Sequence, residues 1–304
     1  MFRMNDLILF AVLTLSILAA VFYPRQAGIF QPYIVHMLMA FMFLSFITVK
    51  VTEIGDTIKA SPGRIVLLTV MKMAVAPVII YYLFKLFMPE YAVSALLLAG
   101  VSTGVVAPFI SGLVQANTPL VFVLVVVTAP LVPFTLPALV ELLVGQSISI
   151  SFWGMARMLA QVIFIPIAVI EILRRGAPPV LAAIQRGRYP ILMCLFATLN
   201  LGIFSQYSDF FRQNPAVLIH SAAAALILGG IFIVVGFLCQ IGQPMDDLLA
   251  GAVIFTNINN ILVLVFASQF FGPLEPTSAA MYMLPFFLSI IPFRIVRRLM
   301  EMRA

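Results

Sequence analysis

Ten stretches of this chain are apolar and long enough to cross a bilayer, and little of the sequence lies outside them. A spanning helix needs about 20 mostly apolar residues, because it rises about 1.5 Å per residue through hydrocarbon about 30 Å thick. The qualifying stretches run approximately 6–23, 32–49, 64–88, 91–115, 119–142, 149–174, 189–207, 215–239, 245–270 and 275–299. Backbone inside a bilayer must satisfy its own hydrogen bonds, and runs of this length do so as helices. The chain is 63% hydrophobic and 9% charged, against roughly 25% charged in soluble domains. It is therefore expected to be one integral membrane domain over 1–304. The first stretch follows Arg3 but is long for a signal peptide and lacks a small-residue cleavage site, so it reads as a retained helix.

Basic residues set the expected orientation. Arg3, Lys50, Lys59, Arg64, Arg174, Arg175, Arg186, Arg188, Arg294, Arg297, Arg298 and Arg303 fall at one end of a ten-span bundle. Only Arg25, Lys85 and Arg212 fall at the other, and Lys72 and Arg157 lie within spans. The positive-inside rule then puts both termini in the cytoplasm of a multi-pass protein of the cell (inner) membrane. The net charge of +6 belongs to these lipid-facing ends and implies no nucleic-acid partner. Cys194 and Cys239 both sit in apolar runs and form no metal or disulfide motif.

The fourth and ninth stretches share a beginning. Residues 97–100 and 248–251 both read Leu-Leu-Ala-Gly, half a chain apart. The first continues Val-Ser-Thr-Gly-Val-Val-Ala-Pro and the second Ala-Val-Ile-Phe-Thr-Asn-Ile-Asn-Asn. Five spans per half invert one half relative to the other, with the first repeat at approximately 1–146 and the second at 147–304. The fold expected is an all-α polytopic membrane protein of ten transmembrane helices. They form two inverted five-helix repeats in which helices 4 and 9 are broken and cross.

The breaks locate the candidate binding site. Pro108 has no N–H and disfavours helix at Ala107, and Gly104 tolerates irregular backbone. The side chains of Thr256, Asn257, Asn259 and Asn260 can bond to backbone groups that a broken helix leaves free. Interrupted helices at matching positions of two half-chains point to a secondary transporter's substrate site, and half-helix N-termini attract anions. Ser102, Thr103, Gly104, Thr256, Asn257, Asn259 and Asn260 are the candidate substrate-binding residues, and a small organic anion is the expected partner. Taken singly, each break also fits a proline kink or a polar contact between helices.

No Asp or Glu falls in the middle of a span, which disfavours exchange of cations for protons. Paired carboxylates, a His-Glu metal cluster and a Gly-x-Ser-x-Gly elbow are all missing, so no enzyme, cofactor or metal is expected. His36 and His220 lie near span ends and read as interfacial, as do Trp153 and Arg157. Lys72 is different. It lies about 12 Å along the third span from Arg64, where a charge costs roughly 2.5–3.5 kcal/mol on insertion scales. It either snorkels to the interface or faces the crossover, near Asn259 or the backbone of 255–258, as the coupling group and a carrier of protons.

This pattern resembles the bile acid:sodium symporter family. The resemblance rests on Met-Lys-Met-Ala-Val-Ala-Pro (71–77), Gly-Val-Ser-Thr-Gly-Val-Val-Ala-Pro (100–108) with Gln115-Ala116-Asn117 after it, and Phe255–Asn260. It implies a core bundle of spans 3–5 and 8–10, a panel of spans 1, 2, 6 and 7, and a crossing that binds organic anions and two sodium ions. The family's sodium-ligating Glu aligns with Phe255, its Ser-Asn pair with Ala107 and Pro108, its fifth-span hydroxyls fall near Val121 and Val125, and its third-span Gln aligns with Lys72. Hard sodium needs oxygen ligands, so family-type sodium coupling is not expected. An auxin-efflux-like or proton-coupled carrier, a channel or uncoupled facilitator, and a non-transporting membrane scaffold are the alternatives.

Overall fold

The computed structural model describes residues 4–47, 61–145 and 151–301, with side chains over 11–47, 61–145 and 151–299. Arg3, Lys50, Lys59, Arg303 and the expected repeat boundary after Gln146 lie outside the described residues. Within them the chain is helical, and its one extended pairing is an isolated bridge between Thr103 and Ile258. The chain is a polytopic all-α membrane protein.

Helix α1 runs Met4–Phe22. After it, six helices of 18 or more residues are long and apolar enough to cross a membrane before the final one: α2 (Pro24–Phe46), α3 (Pro62–Phe87), α6 (Thr118–Leu143), α7 (Phe152–Gly176), α8 (Pro178–Ser205) and α9 (Ala216–Leu238), while Ala11–Phe22 of α1 is a shorter apolar helix. The last is α12 (Leu274–Leu299). The fourth expected span is two helices, α4 (Ala92–Gly100) and α5 (Ala107–Leu113). So is the ninth, α10 (Met245–Thr256) and α11 (Asn260–Phe270). Local sequence accounts for the ends. The Asn117 side chain caps α6 by accepting from Leu120 N–H at 3.1 Å, with Pro119 just inside the helix. Ser151 caps α7 through Gly154 N–H at 3.3 Å.

Proline shapes the helices that surround the breaks. Pro77 has no N–H to donate and its ring crowds the carbonyl four residues back, so α3 widens into a π turn over Met71–Val75. There Ala76 N–H reaches Met71 O. Helix α6 tightens into a 3₁₀ turn at Ala129–Leu131, around Pro130. Helix α12 is interrupted at Tyr282 and Ser289, ahead of Pro285 and Pro292.

Helices α1, α2, α7 and α8 pack on one another, while α9, α10 and α12 gather with α3, α4, α5 and α6. Helix α9 lies close against α10, where Gly236 meets Gly251: a Cβ on Gly236 would stand 2.5 Å from Ala252 Cα. Small residues allow this approach between helices that gain little from burying apolar surface in lipid. The outer face is what lipid requires. Trp153, Phe87, Leu86 and Ile219 are exposed, as are Arg157, His36 and His220.

A polar knot ties one end of the second group. Arg64 at the start of α3 pairs with Asp247 at 2.8 Å, and Asn117 Nδ2 donates to the same carboxylate at 2.7 Å. Asn117 N–H also reaches Asp246 O at 2.8 Å, and Arg297 pairs with Asp246 at 2.8 Å. The knot joins α3, α6, α10 and α12. Asp247→Ala leaves the Arg64 guanidinium and the Asn117 amide without their shared acceptor, in a setting less than one-quarter exposed. The expected loss is about 2 kcal/mol, a fall of about 4–8 °C in Tm by scanning fluorimetry; an unchanged Tm would show the knot to be ornamental.

Candidate functional site at the helix crossing

Breaking a helix inside a membrane frees backbone N–H and C=O groups that have no water to turn to. Here the two breaks satisfy each other. Gly104 N–H donates to Asn257 O at 2.8 Å, and Asn259 N–H donates to Ser102 O at 2.9 Å. These two bonds flank the antiparallel bridge between Thr103 and Ile258. The crossing is a two-residue scrap of sheet where α4–α5 passes α10–α11. Gly104 is required by space: a Cβ there would sit 2.6 Å from Ile258 O and 3.0 Å from Asn257 O, both backbone.

Side chains finish the repair. Thr103 N–H donates to Thr128 Oγ1 at 3.2 Å, and Thr103 Oγ1 donates to Ile254 O at 3.1 Å. Asn257 Nδ2 donates to Phe286 O at 3.1 Å and Asn260 Nδ2 to Ala279 O at 2.6 Å. Tyr282 OH donates to Thr256 O at 2.8 Å. Asn259 Nδ2 points the other way, across to Met42 Sδ on α2 at 3.7 Å. The structure thus brings all seven candidate residues, Ser102, Thr103, Gly104, Thr256, Asn257, Asn259 and Asn260, into one buried cluster. Sequence reasoning missed Thr128 and Tyr282. Their signal was available: each is a polar residue one to three positions before a proline, in the helix that follows a broken one.

Four oxygens in the cluster are buried and make no hydrogen bond: Ser102 Oγ, Thr256 Oγ1, Asn257 Oδ1 and Asn260 Oδ1. Unpaired buried polar groups cost about 1–3 kcal/mol each.

Lys72 completes the site. The π turn directs it inward, and it is wholly buried. Its Nζ donates to Ala99 O at 3.2 Å, beside the last residue of α4, where a helix end leaves carbonyls unpaired. The same Nζ lies 5.4 Å from the ring centroid of Phe232 and 5.5 Å from that of Phe255. Among the described residues it makes no ion pair. Its partners are therefore Ala99 O and two aromatic faces, and the hydrogen bond of Asn259 goes to Met42.

Four positions at which the resemblance implies sodium ligands carry no side-chain oxygen. Val121, Val125, Phe255 and Ala107 are packed in the apolar core. Among the described residues no group of three or more His, Cys, Asp or Glu could hold a metal ion. The four unpaired oxygens are neutral hydroxyl and amide oxygens.

Broken helices whose unwound segments meet inside a bundle define the architecture of secondary transporters. The sequence confirms the class. Residues 35–214, more than half the chain, match the profile of the Sodium Bile acid symporter family, and the chain belongs to that family. The matched region contains Lys72 and the first break, and it ends before the second. No curated protein matches the chain.

Proposed function

We propose that the protein carries small organic anions across the cell membrane by alternating access, with Lys72 supplying the positive charge that sodium supplies elsewhere in the family. The observation that carries this reading is the Lys72 amine, buried beside the crossing with no ion-pair partner among the described residues. A buried charge of this kind is rare in a membrane and is compensated by a counter-charge or by function. An organic anion would bring that counter-charge. The Ser102 and Thr256 hydroxyls have unused hydrogen-bonding capacity, and the N-terminus of α11 at Asn260 adds partial positive charge. Motion is supported by the sparse polar bonding between the two helix groups. It includes the Asn259–Met42 contact and a bond from Tyr207 OH to Ser268 O at 3.3 Å. Both termini are cytoplasmic in this reading.

The test is a thermal-shift screen of the purified protein against organic anions, bile acids first, in sodium and in potassium buffer. At least one anion should raise Tm by several degrees, equally in both. A shift that needs sodium would instead assign the four unpaired oxygens to that ion.

A further inference from the structure

Phe232, Phe255 and the Ala99 carbonyl surround the Lys72 ammonium. We infer that they form a cation site in their own right, an aromatic cage selective for alkylammonium over sodium, which the chain fills with its own tethered side chain. The inference deepens the proposed function, on which it rests for its purpose, but it concerns binding alone.

Three observations carry it. The two rings come from different helices, Phe232 from α9 and Phe255 from the last turn of α10, and each lies within the range at which a cation is attracted to a ring face, about 6 Å. Both are wholly buried, so water does not weaken the attraction. The cage is also braced. The Phe232 ring packs edge-on against Tyr282, with centroids 5.7 Å apart, and Tyr282 OH holds Thr256 O at the break. The oxygen that bonds Lys72 Nζ, Ala99 O, is fixed by the end of α4.

Chemistry sets the selectivity. An alkylammonium has a diffuse charge, sheds water readily on its alkyl side, and keeps an N–H for one carbonyl. Sodium needs a shell of oxygen ligands, and ring faces do not provide one. The arrangement also explains why a phenylalanine stands where the resemblance implies a carboxylate. A carboxylate beside Lys72 would neutralise it, whereas an aromatic face holds the ammonium and leaves its charge uncancelled for an incoming anion. Lys72, Phe255 and Phe232 are in this sense one device.

Lys72→Ala deletes three carbons and the nitrogen, which are the atoms of n-propylammonium. Purified Lys72→Ala protein titrated with n-propylammonium chloride should show a saturable rise in Tm of about 3 °C at ten times the half-saturating concentration. Sodium chloride at equal ionic strength should give none. The rise should vanish in Lys72→Ala/Phe232→Leu and be missing in the native protein, whose cage is filled. No saturable rise, or an equal one with sodium, overturns the inference. A second measurement guards against a misfolded variant. In otherwise native protein, Phe232→Leu/Phe255→Leu should speed acylation of Lys72, read by mass spectrometry against the exposed Lys85, at least tenfold; unchanged labelling also overturns it. Neither readout contains a substrate, so the transport reading can fail while the cage stands, and the reverse.

Discussion

Gly104→Ala should collapse the crossing. The added methyl carbon would sit 2.6 Å from Ile258 O and 2.9 Å from Ile258 C, both backbone atoms of the opposing break. A flexible side chain could swing aside, but this strand cannot, because Gly104 N–H and Asn259 N–H bind it on either side of the bridge. Relief requires the two segments to part and their hydrogen bonds to go unmade, with no water to replace them. The expected cost is about 3 kcal/mol, which lowers Tm by about 6–12 °C in a thermal melt. Gly63→Ala is the control: a Cβ there meets nothing within 4 Å. Equal melting of the two variants would mean that the breaks do not touch as described.

Lys72→Met should do the opposite to stability while ending function. Methionine matches the length of the lysine stem, fills the cage, and makes favourable sulfur contacts with Phe232 and Phe255. Replacing a buried charge by a packed apolar group is often neutral or stabilising by about 1–4 kcal/mol, so Tm should hold or rise by several degrees. Binding of any anion found in the thermal-shift screen should weaken about a hundredfold, the scale on which losing one partner of a desolvated charge pair is measured. A residue kept for packing would show neither half of this split. Loss of stability with unimpaired anion binding would return Lys72 to a structural role.

How much of this could be read from the sequence depends on the distance over which each feature acts. The spans are local: about 20 apolar residues admit one solution in a bilayer, and most helices of the structure begin and end within three residues of the expected limits. The exceptions are α2, which starts at Pro24 rather than near 32, and α8, which starts at Pro178 rather than near 189, inside the expected loop. The breaks are nearly local. Gly104 and Pro108 announce the first, and the Thr-Asn-Ile-Asn-Asn run the second, although helix actually stops at Gly100 and resumes at Ala107. The inward direction of Lys72 also has a local cause, the proline five residues on, but a π turn was not foreseen from it.

What the sequence hid is whatever needs a partner far along the chain. The pairing of Thr103 with Ile258 joins the two halves. Tyr282 looks like one more aromatic in an apolar helix until its hydroxyl is seen on Thr256 O. The cage was hidden in the same way. Phe232 and Phe255 stand among 27 phenylalanines, and only the packing of α9 against α10 picks them out. The expectation that Lys72 would lie near Asn259 or the backbone of 255–258 assumed polar company. Its Nζ bonds Ala99 O and lies against two rings, one of them that of Phe255.

The most direct test of the central claim, that a tethered ammonium stands in for sodium, is uptake into proteoliposomes. The anion that gives the largest thermal shift would be supplied with sodium outside and then with potassium in its place. Equal initial rates in the two media, and background rates for Lys72→Met, are expected. Uptake that falls to background when sodium is withdrawn would contradict it.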